Sequence, residues 1–397
     1  MSGEKGGPAG RLRSRLRPAW AVVDLDALKH NLELLRRRVE PAGVLAVIKA
    51  DAYGHGAPMV ARLLEKERVD WLGVALAEEG LELRRAGIET PILVLGPSVA
   101  SQVPLYRRYR LTPTISSLRQ LDHWSDWAAS LGRLQTVHLK VDVGMHRLGL
   151  DPGELGAGLE RIRAHPFLEL GGLLSHLADA DDPESPRTAE QEKRFAALIA
   201  AELSEDERSR LQLHLANSAA ALHHAATRYS FVRAGLALFG LDPSGREREL
   251  RPVLSVVCEL LQVRQVPAGA RAGYGGIWTA PRPTRLGVVP VGYADGYGRR
   301  LSNRAEALAA GRRVPVVGAV SMDMTLLDLT DVEAQPGDQV VLLGRQNGEE
   351  ITAVELAEWA GTIPYETLCL LGLRLPRRYL QGGVETDLSP DPTPPPE

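Results

Sequence analysis

Cysteine is scarce in this chain of 397 residues, and long apolar runs are missing. The only two cysteines, Cys258 and Cys369, lie in apolar stretches, so they predict reduced core thiols rather than a disulfide framework. No run of about 18 apolar residues occurs, and the sequence therefore predicts no membrane span. The N-terminal stretch MSGEKGGPAGRLRSRLRP is basic but lacks the apolar region of a secretory signal, so we expect a cytoplasmic protein.

Motifs that mark metal and nucleotide sites are also missing. His214, His223 and His224 are accompanied by neither HExxH nor CxxC, so we expect no metal site. The absence of GxGxxG and GxxxxGK[ST] disfavours an open doubly wound sheet, which usually starts with such a phosphate-binding loop. The net charge of −3 gives no electrostatic reason to expect nucleic-acid binding.

What the sequence does contain is a regular alternation of strand-like and helix-like segments. From Pro41 to about Gly240, short apolar runs alternate with segments of helical periodicity. Eight such alternations predict an α/β fold whose N-terminal part is a (β/α)₈ TIM-like barrel. The eight predicted strands are VLAVIKA, WLGVALA, PILVLG, LTPTIS, TVHLKVD, LELGGLLSHL, LQLHLANS and SFVRAGLALFG.

The pattern changes after LDPSGRERELRP, where strand-like runs dominate and a single helix, ITAVELAEWAG, intervenes. This change predicts a mainly β C-terminal domain joined to the barrel by a linker over Ser244 to Arg251. The sequence thus divides into a disordered basic tail (1–17), the barrel domain (18–246), the mainly β domain (247–386) and a disordered Pro-rich tail (387–397).

Polar residues collect at the predicted C-terminal strand ends, where the active site of such a barrel forms. They are Lys49, Lys140 with Arg147, His176, Asn217 with Ser218, and Arg233 with Gly235. The last two strands are followed by small residues, a hydroxyl and backbone N–H groups, which suit a phosphate. A desolvated lysine has a lowered pKa and attacks aldehydes, so this set predicts pyridoxal 5′-phosphate held by Lys49 as a Schiff base.

Spacing alone leaves other interpretations open. A strand-end lysine is often simply solvated, and a lone residue such as His176 is often a hydrogen-bonded core histidine. Tyr274, between glycines in AGYGGIW, fits an ordinary turn aromatic equally well.

Nine sequence blocks resemble the alanine racemase family, in the order in which that family has them. The resemblance extends from about Pro18 to Tyr379, and any single block is only moderately specific. Three positions differ from common family residues: Ser321 replaces a cysteine, Phe239 a tyrosine and Val143 a threonine. The blocks are AVIKADAYGHGA, HLKVDVGMHRLG, LLSHLADAD, HLANSAA, VRAGLALFG, GYGGIWTA, VPVGYADGYGRRLSN, VSMDM and IPYETLC with RLPRRY.

The resemblance implies a role for each matching residue. Lys49 would carry the cofactor and act as one base, and Tyr274 would be the second base on the opposite face, because racemisation needs a group on each side. Arg147 and the backbone N–H of Met322 would hold the substrate carboxylate. The lysine that matches Lys140 is often carbamylated in the family. The implied cofactor-binding residues are Lys49, Tyr53, His176, Asn217, Ser218, Arg233, Gly235, Leu236 and Tyr365, with Arg233 at the pyridine nitrogen.

The resemblance also implies a homodimer in which Tyr274 and Met322 complete the partner's site. The expected activity is interconversion of L- and D-alanine, supplying D-alanine for peptidoglycan. One alternative is a racemase of this fold for serine or for many amino acids, or a decarboxylase; broad-specificity racemases are typically exported. Another is a non-enzymatic carrier of the cofactor, although such barrels lack a β domain.

Overall fold

The computed structural model describes residues 17–386. Apart from Arg17, the predicted basic tail (1–17) lies outside the described residues, as does the predicted Pro-rich tail (387–397). The described chain forms two compact units. One, the barrel unit, contains Ala27–Ala52 and Ala57–Arg251; the other, the β unit, contains the described residues up to Asp26, the four residues Tyr53–Gly56 and the described residues from Pro252 onward.

The barrel unit is a closed ring of eight parallel strands, which confirms the predicted fold. The ring closes between the first and last of these strands, with Leu45 opposite Arg233. All eight predicted apolar runs form strands. In chain order they are β2 (Gly43–Val47), β3 (Trp71–Val74), β4 (Ile92–Val94), β5 (Leu111–Ile115), β6 (Gln135–Lys140), β7 (Leu168–Leu174), β8 (Gln212–His214) and β9 (Phe231–Ala234).

Helices connect the strands of the barrel unit, and the apolar residues of these helices recur at helical spacing. In Ala57–Lys66, for example, Met59, Val60, Leu63 and Leu64 are all buried on one face. The first helix, Leu25–Val39, has its first two residues in the β unit. The α-helices that follow in the barrel unit are Ala57–Lys66, Ala77–Arg85, Val103–Arg108, Leu118–Leu131, Leu155–Ala164, Arg187–Glu202, Glu205–Arg210 and Ser218–His223.

The β unit is built on one large sheet whose strands come from both ends of the chain. Strand β1 (Ala19–Asp24) pairs antiparallel with one neighbour and parallel with the other. The remaining strands are β10 (Leu254–Glu259), β11 (Gln262–Val266), β12 (Arg271–Ala272), β13 (Trp278–Thr279), β14 (Thr284–Val289), β15 (Glu306–Ala309), β16 (Arg312–Val317), β17 (Thr325–Asp328), β18 (Gln339–Gln346), β19 (Glu349–Ile351), β20 (Arg377–Gln381) and β21 (Val384–Thr386).

In that sheet the order is β11-β14-β17-β16-β15-β18-β10-β1-β20-β21, with β19 beside β18, while β12 and β13 form a separate hairpin. The unit also contains the predicted helix, Ala353–Ala360, and a second helix, Pro364–Leu370. The mainly β character predicted for the C-terminal part is therefore confirmed.

Cys258 is buried as expected, but Cys369 is exposed. The prediction of two core thiols is therefore wrong for Cys369, because the helix Pro364–Leu370 buries only Leu368. Over residues 17–386, no helix is both long and apolar enough to cross a membrane, and no group of three His, Cys, Asp or Glu side chains is placed to hold a metal ion.

Candidate active site

Lys49 stands just after β2, at the start of a turn with unusual handedness. The segment Lys49–Gly54 winds as a helical turn, yet Ala50, Asp51, Ala52 and Tyr53 have φ between 53° and 54°. For residues with a Cβ, left-handed helical geometry costs roughly 1–2 kcal/mol each. Surrounding contacts must therefore hold this turn in place.

Two carboxylates supply such contacts within the barrel unit. The Glu79 side chain accepts a hydrogen bond from the Ala50 N–H at 2.7 Å through Oε1 and one from the Ala75 N–H at 2.7 Å through Oε2. Asp51 accepts one from the Ala57 N–H at 2.7 Å. Glu79 thereby connects the residue after Lys49 to the start of the helix Ala77–Arg85.

Positive charge gathers around the ends of β2, β6 and β9. Lys140 is the last residue of β6 and is buried. Its burial, together with repulsion from Arg233, Arg147 and Lys49, lowers its pKa to about 8, although Asp142 acts in the opposite direction. Four cations facing one nearby carboxylate form a site suited to an anionic ligand.

Arg233 is the most completely held of these cations. Its Nη1 donates to the carbonyl oxygen of His214 at 2.7 Å, and its Nη2 donates to those of Ser175 at 2.7 Å and Leu215 at 3.0 Å. Nη2 also lies 3.2 Å from Nδ1 of His176. Burial lowers the pKa of Arg233 to about 10, so it remains a cation at neutral pH. Within residues 17–386, no group accepts a hydrogen bond from the Nε–H of Arg233.

Two buried histidines behind Arg233 were not singled out from the sequence as a pair. Nδ1 of His214 lies 3.4 Å from Nη1 of Arg233, and its Nε2 lies 3.1 Å from Nδ1 of His138. Burial lowers the pKa of His138 to about 3, and burial followed by the charge of Arg233 lowers that of His214. Because an arginine only donates hydrogen bonds, Nδ1 of His214 must be the acceptor. His214 therefore carries its proton on Nε2 and donates it to Nδ1 of His138.

The alternation of side chains along β6 could have indicated that His138 lies near the site. His138 precedes Lys140 by two residues, so both side chains lie on the same face of the strand. The Nε2 atom of His138 is buried and makes no hydrogen bond within the described residues.

The segments after β8 and β9 meet at the hydroxyl of Ser218. Its Oγ accepts hydrogen bonds from the backbone N–H of Gly235 at 2.9 Å and from that of Ala237 at 3.3 Å. Asn217 caps the following helix by accepting from the Ala220 N–H at 3.1 Å. The structure thus brings Ser218 and Gly235 together, with Leu236 following directly.

The β unit contains the other predicted site residues. The rings of Tyr53 and Tyr365 lie 6.2 Å apart, centroid to centroid. Arg377 holds the loop that carries Tyr53, since its Nη2 donates to the carbonyl oxygen of Gly54 at 2.8 Å and to that of Leu371 at 2.6 Å. This clamp connects the end of the lysine motif to the segment that follows Tyr365.

Tyr274 and Met322 lie on two separate turns of the β unit. Tyr274 is at the tip of the β12–β13 hairpin and 70% exposed, and Met322 is 52% exposed. The hydroxyl of Ser321 closes the second turn, donating to the carbonyl oxygen of Met324 at 2.7 Å and accepting from its N–H at 3.2 Å. The Met322 N–H has no hydrogen-bond partner within the described residues.

Comparison with known proteins gives the family. Residues 23–243 match the model described as "Alanine racemase, N-terminal domain", and residues 253–379 match "Alanine racemase, C-terminal domain". The chain is 43% identical to the alanine racemase of Symbiobacterium thermophilum, covering 92% of this chain and 97% of that protein. It is 41% identical to the alanine racemase of Synechocystis, covering 90% and 98%.

Solved structures agree with the sequence comparison. Alanine racemase of Clostridium difficile superposes with a TM-score of 0.87 at 35% identity, covering 93% of this chain and 97% of that one. Alanine racemase of Bartonella henselae, solved with covalently bound pyridoxal phosphate, gives 0.84 at 30% identity, covering 91% and 99%. The chain belongs to the alanine racemase family and is an isomerase.

Proposed function

We propose that this protein interconverts L- and D-alanine with pyridoxal 5′-phosphate held by Lys49. The observation that carries the proposal is the set of cations around Lys49. One of them, Arg233, has an Nε–H that donates to none of the described residues. That N–H is suited to the pyridine nitrogen of the cofactor. When bound, the cofactor supplies an electron sink for the charge left on the α-carbon.

The phosphate fits the segments after β8 and β9. Ser218 offers a hydroxyl, and the backbone N–H groups around Gly235 and Leu236 offer further donors near it. Asn217 fixes the start of the helix that carries Ser218. The family resemblance implies that Tyr53 and Tyr365, whose ring centroids lie 6.2 Å apart, also bind the phosphate. His176 stays neutral next to Arg233, because burial and that cation lower its pKa.

Two bases and a carboxylate clamp complete the proposed mechanism. Lys49 moves the α-proton on one face of the substrate, and Tyr274 moves it on the other. The guanidinium of Arg147 and the N–H of Met322 hold the carboxylate, so the α-carbon stays between the bases while the proton is exchanged.

Lys140 is proposed to carry a carbamate. An amine with a pKa of about 8 is partly unprotonated near neutral pH, and its nitrogen can then bond to carbon dioxide and release a proton. The product is an anion, which the neighbouring cations Arg147 and Arg233 would stabilise. It would orient Arg147 for the substrate carboxylate.

We also propose a homodimer with shared sites, in which Tyr274 and Met322 act on the partner's substrate. The β unit exposes large apolar side chains close to these residues in sequence, namely Ile277 and Met324. Apolar exposure of this kind is typical of surfaces that bind another protein chain.

We further propose a cytoplasmic location and a role in supplying D-alanine for peptidoglycan, as the family resemblance implies. Chiral product analysis with L-alanine and L-serine separates alanine from serine racemisation.

The assignment of Lys49 is tested by reducing the loaded enzyme with borohydride and mapping the labelled peptide. We expect the pyridoxyl group on Lys49 and no covalent cofactor in Lys49→Ala, which should nevertheless keep the circular-dichroism spectrum of the unmodified protein. A label on Lys140 would contradict the assignment and favour Lys140 as the cofactor-bearing lysine.

A further inference from the structure

The Tyr274 turn is built from residues that have little backbone preference of their own. Gly273, Gly275 and Gly276 surround Tyr274 and have φ of 72°, 70° and 51°. Strand pairing at this turn consists of two residue pairs in the β12–β13 hairpin, and inside the turn the Gly276 N–H donates to the carbonyl oxygen of Gly273 at 3.1 Å. A loop of three glycines with so little pairing samples many conformations unless side chains hold it.

One such side chain comes from within the hairpin. Nε of Arg271 donates to the carbonyl oxygen of Gly276 at 2.9 Å, and its Nη2 donates to that of Gly275 at 3.2 Å. The planar guanidinium therefore fixes two consecutive peptide groups directly after Tyr274.

A second side chain reaches the turn from elsewhere in the β unit. The amide nitrogen of Asn303 donates to the carbonyl oxygen of Ile277 at 3.1 Å, while its amide oxygen accepts from the Gly318 N–H at 2.5 Å. Gly318 begins the segment that leads to Met322. The neighbouring Ser302 hydroxyl accepts from the Val320 N–H at 2.9 Å in the same segment.

We propose that Asn303 and Arg271 are positioning residues for racemisation. Arg271 fixes the conformation of the Tyr274 turn. Asn303 ties that turn to the Gly318–Met322 segment, and so sets the distance between the second base and the N–H that holds the substrate carboxylate. This inference rests on the proposed roles of Tyr274 and Met322. Neither Asn303 nor Arg271 touches the reacting atoms; both act through the backbone.

Asn303 allows its two hydrogen bonds to be separated by substitution. Asn303→Asp keeps an acceptor for Gly318 but removes the donor to Ile277, and aspartate tolerates the φ of 53° found here. Asn303→Gly removes both hydrogen bonds without straining the backbone. Arg271→Met removes only the contacts inside the turn.

Two controls match these variants. Asn347 has a φ of 50° and lies between β18 and β19, so Asn347→Gly reports what loss of a left-handed asparagine does elsewhere. Arg282, which forms an exposed ion pair with Asp331, gives Arg282→Met as the control for Arg271.

Three measurements on the full-length enzyme test the proposal. Exchange of the α-proton with deuterated solvent, followed from each enantiomer separately, reports the two bases. Inhibition by propionate reports carboxylate binding. Amide hydrogen exchange of the peptide that contains Tyr274, measured without cofactor, reports the order of the turn, and ultracentrifugation confirms that the oligomeric state is unchanged.

We expect Arg271→Met and Asn303→Asp to slow α-proton exchange about ten- to a hundredfold from one enantiomer only, with unchanged propionate inhibition. Asn303→Gly should show the same asymmetry and also weaken propionate binding. All three should speed amide exchange in the Tyr274 turn, whereas the two controls should change nothing.

Equal slowing from both enantiomers, or unchanged amide exchange in the turn, would overturn the proposal. Tyr274→Phe tells this failure apart from failure of the proposed function. If Tyr274→Phe slows exchange from one enantiomer only while the Asn303 and Arg271 variants do not, Tyr274 is the second base and the positioning inference is wrong.

Discussion

Lys140 shows how a side chain acquires its chemistry from its surroundings. Its pKa of about 8 follows first from burial and then from neighbouring cations. Between pH 7 and pH 9 its unprotonated fraction should rise from about one tenth to about nine tenths, since a single group titrates over about two pH units. Only the unprotonated amine bonds to carbon dioxide, so carbamate formation should rise with pH in the same range.

This rise can be followed by ¹³C NMR under ¹³C-labelled carbon dioxide at constant pressure. Arg147→Met removes one repelling cation, so the amine should keep its proton to higher pH and the carbamate signal should begin later. Lys140→Met is the control and should give no signal. A signal of equal size in Lys140→Met would show that another lysine is modified.

At this scale the sequence alone places Lys49, Lys140 and Arg233 at or next to the ends of barrel strands, because their apolar runs are visible in it. It does not predict which donor of Arg233 is left for a ligand, since that depends on carbonyl groups from three separate positions. The His138–His214 contact is likewise invisible before β6 and β8 are placed in one barrel.

Among the elements, the left-handed turn after Lys49 has the clearest energetic consequence. Ala50 is exposed and has a φ of 53°, so Ala50→Gly relieves strain without opening a cavity. We expect this change to raise the free energy of unfolding by up to about 1 kcal/mol, seen as a higher Tm in calorimetry.

A matched substitution should have the opposite sign. Ala129 is also exposed but lies in the right-handed helix Leu118–Leu131. Ala129→Gly should lower the free energy of unfolding by about 1 kcal/mol, because glycine is a poor helix former. If both substitutions lower the Tm, the turn is not strained in the way described.

Sequence periodicity predicts the elements better than it predicts their connections. All eight barrel strands are visible as apolar runs, because both faces of such strands are buried. The handedness of Lys49–Gly54 is not visible, since Asp51 is the only residue before Gly54 in KADAYG whose type visits positive φ readily, and one such residue does not predict four in a row. The turn is instead imposed by contacts such as that of Glu79, which is distant in sequence.

For the whole molecule, shared sites predict complementation between inactive variants. Lys49→Ala lacks the cofactor-bearing lysine, and Tyr274→Phe lacks the second base. In a mixed dimer with sites completed by the partner, one site contains both substitutions and the other contains neither. Mixing the two proteins under conditions of subunit exchange should therefore restore activity, approaching a quarter of the unmodified level at equal amounts, because about half of the dimers are mixed.

Native mass spectrometry of the mixture measures the fraction of mixed dimers directly. Activity should rise in proportion to that fraction. Mixed dimers without activity would show that each chain completes its own site.

The position of β1 between β10 and β20 has a consequence for synthesis of the chain. This strand leaves the ribosome well before its two partners, because β10 begins about 230 residues later and β20 about 350 residues later. At about 5–20 residues per second, the apolar run AWAVVD waits roughly ten to fifty seconds for its first partner. During translation it is therefore an unpaired strand that holdase chaperones can bind, until β10 and β20 have been synthesised and pair with its two edges.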